Sequence, residues 1–195
     1  MTNLFDLIEG SGSGQAASIT ELRLGPEPAT MLLFTAEVEA ARIHYEQGEP
    51  FRTYVICPAA GCPVCFLGSA SQQVALLPAY NLETRAVEVL RVPTRRSPGS
   101  LATVLMPLLK DSGIADKVVL LSRDGPRYAA RSQPLAEEAD RGDAVISAFL
   151  EAQKNGLKLA DAFSQPSAGE LAEVERIRRK LDAVGGYKPP TTPEQ

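Results

Sequence analysis

The one histidine and all three cysteines of this chain fall within residues 44 to 65, in the stretch HYEQGEPFRTYVICPAAGCPVC. Twelve residues separate His44 from Cys57, four separate Cys57 from Cys62, and two separate Cys62 from Cys65. Imidazole and thiolate groups clustered in this way are the ligands that zinc prefers in closed tetrahedral sites. The stretch therefore predicts one structural zinc ion per chain, held by His44, Cys57, Cys62 and Cys65.

Three other interpretations of the cluster are weaker. His44 could simply be a buried histidine, and the three cysteines could be small apolar core residues. Such roles would give no reason for all four residues to lie in one short stretch. A catalytic zinc needs an open coordination position, which four protein ligands would fill. A cysteine nucleophile needs a separate histidine base, and His44 already belongs to the cluster. Because the sequence also contains no phosphate-binding loop and no dinucleotide-binding glycine pattern, we do not expect an enzyme.

Composition limits the class of protein. The chain has 195 residues, a hydrophobic share of 44% and a formal net charge of −4, which suits one globular domain with appendages. Charge is uneven, since residues 42 to 131 carry eleven Lys or Arg against seven Asp or Glu. The start has no secretory pattern and no apolar run is long enough to span a membrane, so we expect a cytoplasmic protein with reduced thiols.

The order of predicted elements indicates a small β-rich domain followed by helices. Residues 30 to 43 and FRTYVIC are typical of strands joined by the EQGEP turn, and QVALLPAY pairs with RAVEVLRV. A helix is predicted from about Ser100 to Gly113, and KVVLLSRDGPRYAAR predicts a hairpin around Asp124–Gly125. Pro78 suggests a sheet edge or a strand end. A compact closed barrel would remove the edges of so few strands.

The C-terminal part changes to helical periodicity. Asp143 is a candidate N-cap of a helix ending at Asn155–Gly156, and Ser167-Ala-Gly-Glu170 has the spacing of a capping box. The helix that follows carries Leu171, Val174, Ile177, Leu181 and Val184 at alternating intervals of three and four. We expect the stripe formed by the first four to pack on the barrel or on another copy.

The hairpin that carries two of the ligands contains an internal conflict. A turn centred on Gly48–Glu49 would place His44 opposite Thr53 rather than near Cys57. The loop after Ile56 would then have to fold back to bring Cys57 to the site.

The His-x₁₂-Cys spacing followed by a G-C-P-V-C knuckle resembles the zinc-containing single-stranded DNA-binding proteins of T-even-like phages. A fainter similarity continues through residues 74 to 134, where LLKDSG and R-D-G-P-R-Y follow the family's order. The resemblance implies an OB-fold whose zinc subdomain shapes a basic cleft. It also implies replication and recombination as the setting and, for a phage protein, the bacterial cytoplasm as the location.

The predicted organisation follows from these elements and from the resemblance. Residues 1–17 form a flexible N-terminal segment, and residues 18–135 form an OB-fold-like domain with its zinc subdomain at about 44–66. Residues 136–186 form a C-terminal helical segment, and residues 187–195 a disordered tail. The chain departs from the family in lacking a basic N-terminal segment and a long acidic C-terminal tail.

A protein that binds single-stranded nucleic acid without sequence preference needs cations that contact the phosphates and aromatic rings that stack on the bases. In FRTYVIC, alternation places Arg52 and Tyr54 on one face of a strand. The full set of candidates is Arg52, Tyr54, Tyr80, Arg91, Arg95, Arg96, Arg123, Arg127 and Tyr128. For each one, a solvated surface arginine or a half-buried tyrosine is the plain alternative.

Three functions remain open from the sequence. The first is single-stranded DNA binding with structural zinc, and the others are a zinc-stapled protein-interaction adaptor and an RNA-binding OB protein. Replication proteins are possible partners. An apolar patch at the N-terminus, tethered by the GSGSG stretch, consists of Leu4, Phe5, Leu7 and Ile8. It predicts contact with a neighbouring copy bound to the same DNA strand. The alternative is that this segment is disordered.

Overall fold

A computed structural model describes residues 19–34, 37–46, 49–51, 53–136 and 141–188 of the chain. The predictions for the N-terminal patch, the GSGSG linker, Arg52 and the last residues of the C-terminal tail lie outside this part. Eight strands are described: β1 (Thr20–Glu21), β2 (Ala29–Leu33), β3 (Glu39–Glu46), β4 (Thr53–Ile56), β5 (Gln72–Asn81), β6 (Ala86–Pro93), β7 (Lys117–Asp124) and β8 (Arg127–Pro134).

The helices lie between and after these strands. They are α1 (Pro63–Phe66), α2 (Leu101–Leu109), α3 (Asp143–Lys154), α4 (Ala168–Glu173) and α5 (Glu175–Val184), with short 3₁₀ helices at Ile114–Asp116 and Leu159–Ala162. Ser100 caps α2 by accepting a hydrogen bond from the amide of Thr103, as expected for a serine before an apolar run. The predicted capping box is confirmed, because Ser167 and Glu170 bond each other's backbone amides.

All eight strands belong to one sheet with the order β1-β6-β5-β2-β7-β8, and β3 joins it by pairing with β5 and β4. The long strand β5 has β6 along one side, while β2 and β3 share the other side in succession. The predicted strand pair around Asn81–Leu82 and the predicted hairpin β7–β8 are both confirmed. The hairpin turn lies one residue later than expected, since Asp124 pairs with Arg127.

The predicted closed barrel is wrong for the described residues, which form an open sheet. The edge of β6 is paired with β1 in parallel, so it does not pair with β8. Helix α2 packs into the apolar core beside both strands, with Leu101, Ala102 and Leu105 buried among residues of β5, β6 and β7. The helix fills space that a β6–β8 pair would otherwise close.

Pro78 also differs from expectation, because it lies inside β5 opposite Val89. The carbonyl of Pro78 accepts the amide of Phe34 just after β2 ends, and β3 begins pairing only at Leu76. A proline has no amide hydrogen to donate, so it is tolerated where the partner chain changes from β2 to β3.

Both faces of the sheet are covered. One face buries Leu77, Ala79 and Leu90 against α2, and the opposite face buries Leu76 and Tyr80 against α3 and the 3₁₀ helix at Leu159–Ala162. The alternation of strand side chains explains why the QVALLPAY run is apolar throughout.

Candidate metal centre and nucleic-acid groove

The four predicted metal ligands lie together, with one ligand atom from each residue within 4.8 Å of the others. The Nε2 atom of His44 is 3.5 Å from the Sγ of Cys62 and 3.4 Å from the Sγ of Cys65. The sulfurs of Cys57 and Cys65 are 3.8 Å apart. His44, Cys57 and Cys62 are buried, while Cys65 is exposed.

These separations fit a tetrahedral zinc ion. Zinc–sulfur bonds of about 2.3 Å and zinc–nitrogen bonds of about 2.0–2.1 Å imply S···S and S···N separations of about 3.8 Å and 3.6 Å in a tetrahedron. The observed values of 3.8, 3.5 and 3.4 Å agree with this geometry. Four protein ligands would complete the coordination shell of such an ion, which is typical of a structural site.

The register of the β3–β4 hairpin brings two ligands together. His44 pairs with Val55, and the amide of Cys57 bonds the carbonyl of Arg42. Cys57 therefore continues the line of β4 on the face that carries Val55 and His44. The predicted pairing of His44 with Thr53 is wrong by two residues, because the turn is centred between Glu49 and Pro50, one residue later than expected, and Thr53 pairs with Glu46. No fold-back is needed to place Cys57.

The other two ligands come from one turn of chain around α1. Cys62 immediately precedes the helix, Pro63 occupies its first position, and Cys65 lies in its only turn. A proline suits the first helical position because its missing amide hydrogen would have no helical partner there. The amide of Phe66 donates to the carbonyl of Cys62, which closes the turn and holds the Cys62 and Cys65 sulfurs close to His44.

Burial sets the protonation of the ligand groups. It raises the pKa of the Cys62 thiol to about 12, although hydrogen bonds from the amides of Cys65 and Val64 favour its thiolate. Burial also raises the pKa of Cys65 and lowers the pKa of His44, against the opposing effect of the nearby Glu46 carboxylate. A neutral imidazole can donate its lone pair to a metal, and amide groups facing the sulfur suit a metal-bound thiolate.

The C-terminal helices pack on this metal centre. Leu171, Val174, Ile177 and Leu181 form one apolar cluster with Val55, Cys57 and Cys62. The expected stripe thus packs within the chain, on the metal centre. The predicted single helix after Ser167 is instead two helices, because Val174 leaves helical geometry with φ −58° and ψ 118°.

Two polar contacts fasten the same helices to the metal centre. The hydroxyl of Tyr187 donates to the carbonyl of Gly61 at 2.7 Å, and its ring lies 5.4 Å from that of Phe66. Arg176 on α5 forms an ion pair with Glu46 on β3, whose side chain is buried. The C-terminal helices, the β3–β4 hairpin and the α1 turn therefore form one packed unit, which we call the zinc module after the ion that its four candidate ligands could hold.

The opposite face of the β3–β4 hairpin carries aromatic residues. Tyr45 pairs with Tyr54 across the hairpin, and their ring centroids are 5.0 Å apart. Both line a groove of about 320 Å³. The full lining of this groove is Glu21, Leu22, Arg23, Leu24, Tyr45, Thr53, Tyr54, Leu90, Arg91, Leu101, Arg123 and Tyr128.

The groove is basic and extends further along the surface. Arg23, Arg91 and Arg123 line it against one acidic residue, Glu21. The guanidinium carbon of Arg123 lies 5.5 Å from the ring centroid of Tyr128. A second depression of about 370 Å³ shares Glu21, Arg23, Thr53 and Tyr54 with it and leads towards Phe163 and Ser164. We refer to these two connected depressions as the tyrosine–arginine groove.

Four of the nine residues predicted to bind nucleic acid meet in this groove: Tyr54, Arg91, Arg123 and Tyr128. Tyr80 is a correction, because it is 1% exposed and packs in the core below α3. Its ring lies so close to Gly142 that a Cβ there would be 2.2 Å away, so only glycine leaves room for it. Arg52 lies outside the described residues.

The remaining three arginines, Arg95, Arg96 and Arg127, are exposed but do not line the groove. Arg95 and Arg96 follow β6, where Arg96 borders a separate apolar depression beside α2. Arg127 lies against Gly99 ahead of α2. The loop after β6 that carries Arg95 and Arg96 therefore does not contribute to the groove.

Sequence reasoning missed Arg23 and Tyr45, which both line the groove. The position of Tyr45 could have been predicted from the sequence. Tyr45 follows the candidate metal ligand His44 on a strand, so its side chain must lie on the opposite face. The two-residue error in register concealed its pairing with Tyr54. Nothing local to Arg23 indicates its position.

No family model, no curated protein and no solved structure matches this chain. Among the residues that the structure describes, no helix combines the length and the apolar character needed to cross a membrane.

Proposed function

We propose that this protein binds single-stranded DNA along the tyrosine–arginine groove, as a binding protein for replication or recombination and not as an enzyme. The observation that carries the proposal is the interleaving of Tyr45, Tyr54 and Tyr128 with Arg23, Arg91 and Arg123 in one groove. Single strands bind proteins through base stacking on aromatic rings and through phosphate contacts with cations, and this groove offers both.

A zinc ion in the Cys₃His group has a structural role in this proposal. Zinc would hold the turn around α1 against the β3–β4 hairpin, whose other face presents Tyr45 and Tyr54 to the groove. No ligand is free to be exchanged for a substrate, since all four positions of a tetrahedral ion would be filled. The metal would therefore affect DNA binding only by stabilising the conformation of the β3–β4 hairpin.

The connectivity of the sheet supports an OB-like architecture within the same proposal. The strands β2 and β3 together, then β5 and β6, then α2, then the β7–β8 hairpin follow one another in the order of a five-stranded Greek-key barrel. Barrels of this class are partly open and bind oligonucleotides on one face. The open edge between β6 and β8, with α2 packed beside it, is compatible with that description.

The adaptor alternative receives less support, whereas the groove suits RNA as well as single-stranded DNA. An adaptor that docks partners through its C-terminal helix would need the Leu171, Val174, Ile177 and Leu181 stripe to be exposed, and the stripe is buried on the metal centre. RNA binding uses the same rings and cations, and discrimination depends on contacts to the 2′-hydroxyl.

The direct test is a salt-dependent binding titration with single-stranded DNA, duplex DNA and RNA of equal length. We expect single-stranded DNA to bind most tightly, with a logarithmic salt slope of about −0.7 for each phosphate contact. Equal affinity for duplex and single strand would contradict the proposal, and tighter binding of RNA would replace it with the RNA alternative. Absence of binding to all three would exclude a nucleic-acid function for the groove.

A further inference from the structure

Arg91 has an environment unlike that of the other groove arginines. Its guanidinium carbon lies 3.6 Å from the ring centroid of Tyr54, so the two planar groups are in contact. Its Nε atom donates to the Oε1 of Glu21 at 3.0 Å. The side chains of Arg91 and Glu21 are only 12% and 15% exposed, whereas Arg23 and Arg123 are exposed.

The ion pair alters what Arg91 can do to a nucleic acid. Glu21 lies on β1 and pairs with Val89 of β6, two residues before Arg91, so two paired strands hold the carboxylate and the guanidinium in place. A phosphate approaching Arg91 would also approach Glu21, and the like charges would repel each other. With its charge compensated, Arg91 offers little attraction to a phosphate and would release few counterions on binding.

The planar guanidinium of Arg91 can still stack on a nucleobase. Bases of single strands stack on guanidinium planes as well as on aromatic rings. Arg91 lines the groove while it rests on Tyr54, and Tyr54 lies beside the more exposed Tyr45. Arg91, Tyr54 and Tyr45 thus form a row of contacting planar groups along one wall of the groove, with the two rings inclined by 55° to each other.

We propose that Arg91 is a base-stacking residue, that Glu21 gives it this role by neutralising its charge, and that phosphates are bound by the exposed Arg23 and Arg123. The inference rests on the proposed strand-binding function, and it assigns distinct parts of a nucleotide to distinct residues of the groove. The ligand class is an unpaired nucleobase with its phosphates directed away from Glu21.

The first experiment compares Arg91→Lys with the wild-type protein on two strands of equal length, oligothymidylate and an abasic strand that has the same phosphates but no bases. Lysine keeps the charge and removes the plane. We expect Arg91→Lys to weaken oligothymidylate binding by about fivefold or more and to change abasic-strand binding by less than about twofold. Arg131→Lys, on an exposed position of β8 outside the groove, is the matched control.

The second experiment replaces Glu21 by glutamine, which can still accept the Arg91 hydrogen bond but carries no charge. We expect the logarithmic salt slope of strand binding to become steeper by about 0.7, because Arg91 then attracts a phosphate. Glu151→Gln, on the exposed face of α3, should leave the slope unchanged. Thermal melting of each variant establishes that it is folded.

The outcomes separate the inference from the function on which it rests. Equal losses on oligothymidylate and abasic strands, or no loss with Arg91→Lys, would overturn the stacking role. An unchanged slope with Glu21→Gln would overturn the role of Glu21. If the wild-type protein binds neither strand, the proposed function itself is wrong, and the inference is lost with it.

Discussion

Tyr45 is the most exposed of the groove aromatics, with 55% of its surface accessible to solvent. Because it contacts Tyr54 but is not part of the core, its ring is available to a base at little cost in stability. Removing one stacking ring from a single-strand binder costs about 1–3 kcal/mol per base. Residues of this kind test the groove most cleanly, since they change binding more than folding.

We predict that Tyr45→Leu weakens single-stranded DNA binding by roughly 5- to 100-fold, measured by fluorescence anisotropy with a labelled oligonucleotide. The melting temperature should change little. Phe66→Leu is the control, because Phe66 is a comparably exposed ring (46%) that lies on the zinc module outside the groove. Equal effects of the two substitutions on binding would show that the groove is not the binding site.

The metal ligands give a second prediction at the residue scale. Burial raises the pKa of Cys62 to about 12 and also raises that of Cys65, so both thiols are protonated in the metal-free protein at neutral pH. Zinc binds thiolates, and each thiol must lose its proton on binding. At higher pH the thiols lose their protons more easily, and zinc binding therefore becomes stronger.

We expect at least two protons to be released per zinc bound near neutral pH, and zinc affinity to rise about tenfold per pH unit for each proton released. Titration of metal-free protein with zinc in a weakly buffered solution of a pH indicator measures the release. Zinc affinity that stays constant between about pH 6 and pH 8 would contradict the assignment of these thiols as ligands.

At the scale of elements, the β3–β4 hairpin connects the two sites. One of its faces carries His44 and leads to Cys57, and the other carries Tyr45 and Tyr54. The hairpin is at the margin of the sheet, because β4 pairs only with β3 among the described strands. Two-stranded hairpins are marginally stable alone, so contacts on the metal face support the aromatic face.

We predict that Cys62→Ser lowers thermal stability and weakens strand binding without changing the logarithmic salt slope. The arginines that we propose to contact phosphates would remain in place, while the Tyr45–Tyr54 pair would lose its support. Hydrogen exchange should show faster exchange in β3 and β4 than in β7 and β8. Unchanged affinity in a variant shown to be zinc-free would mean that the metal centre and the groove are independent.

At the scale of the whole molecule, the C-terminal helices are part of the folded domain. Leu171 is fully buried, and Val174, Ile177 and Leu181 are nearly so, all in the cluster that contains Cys57 and Cys62. Large-to-small substitutions at such core positions cost about 2–5 kcal/mol each, so removing the whole stripe would expose a large apolar surface beside the metal.

We predict that deleting residues 165–195 destabilises the protein and accelerates transfer of its zinc to a chromophoric chelator. A milder variant, Leu171→Ala, should lower the free energy of unfolding by about 2–5 kcal/mol. Val184→Ala is the control, because Val184 ends α5 and, unlike the predicted stripe residues before it, is 66% exposed. A truncated protein with unchanged melting temperature and zinc retention would show that the helices do not support the zinc module.

Local spacing determined much of what the sequence predicted correctly. The Cys₃His group, the capping box at Ser167 and Glu170, and the β7–β8 hairpin all depend on residues near one another in the chain. Their chemistry needs a particular donor, cap or turn at a particular distance, and no remote element decides it. These features could therefore be predicted without any knowledge of the sheet.

Long-range packing decided the rest. Tyr80 and Tyr54 are both tyrosines on predicted strands, but α3 covers one of them and the groove exposes the other. Glu21 and Arg91 are seventy positions apart and meet only because β1 pairs with the edge of β6, the pairing that also leaves the sheet open. Strand alternation determines which residues share a face, whereas only the tertiary structure determines what covers that face.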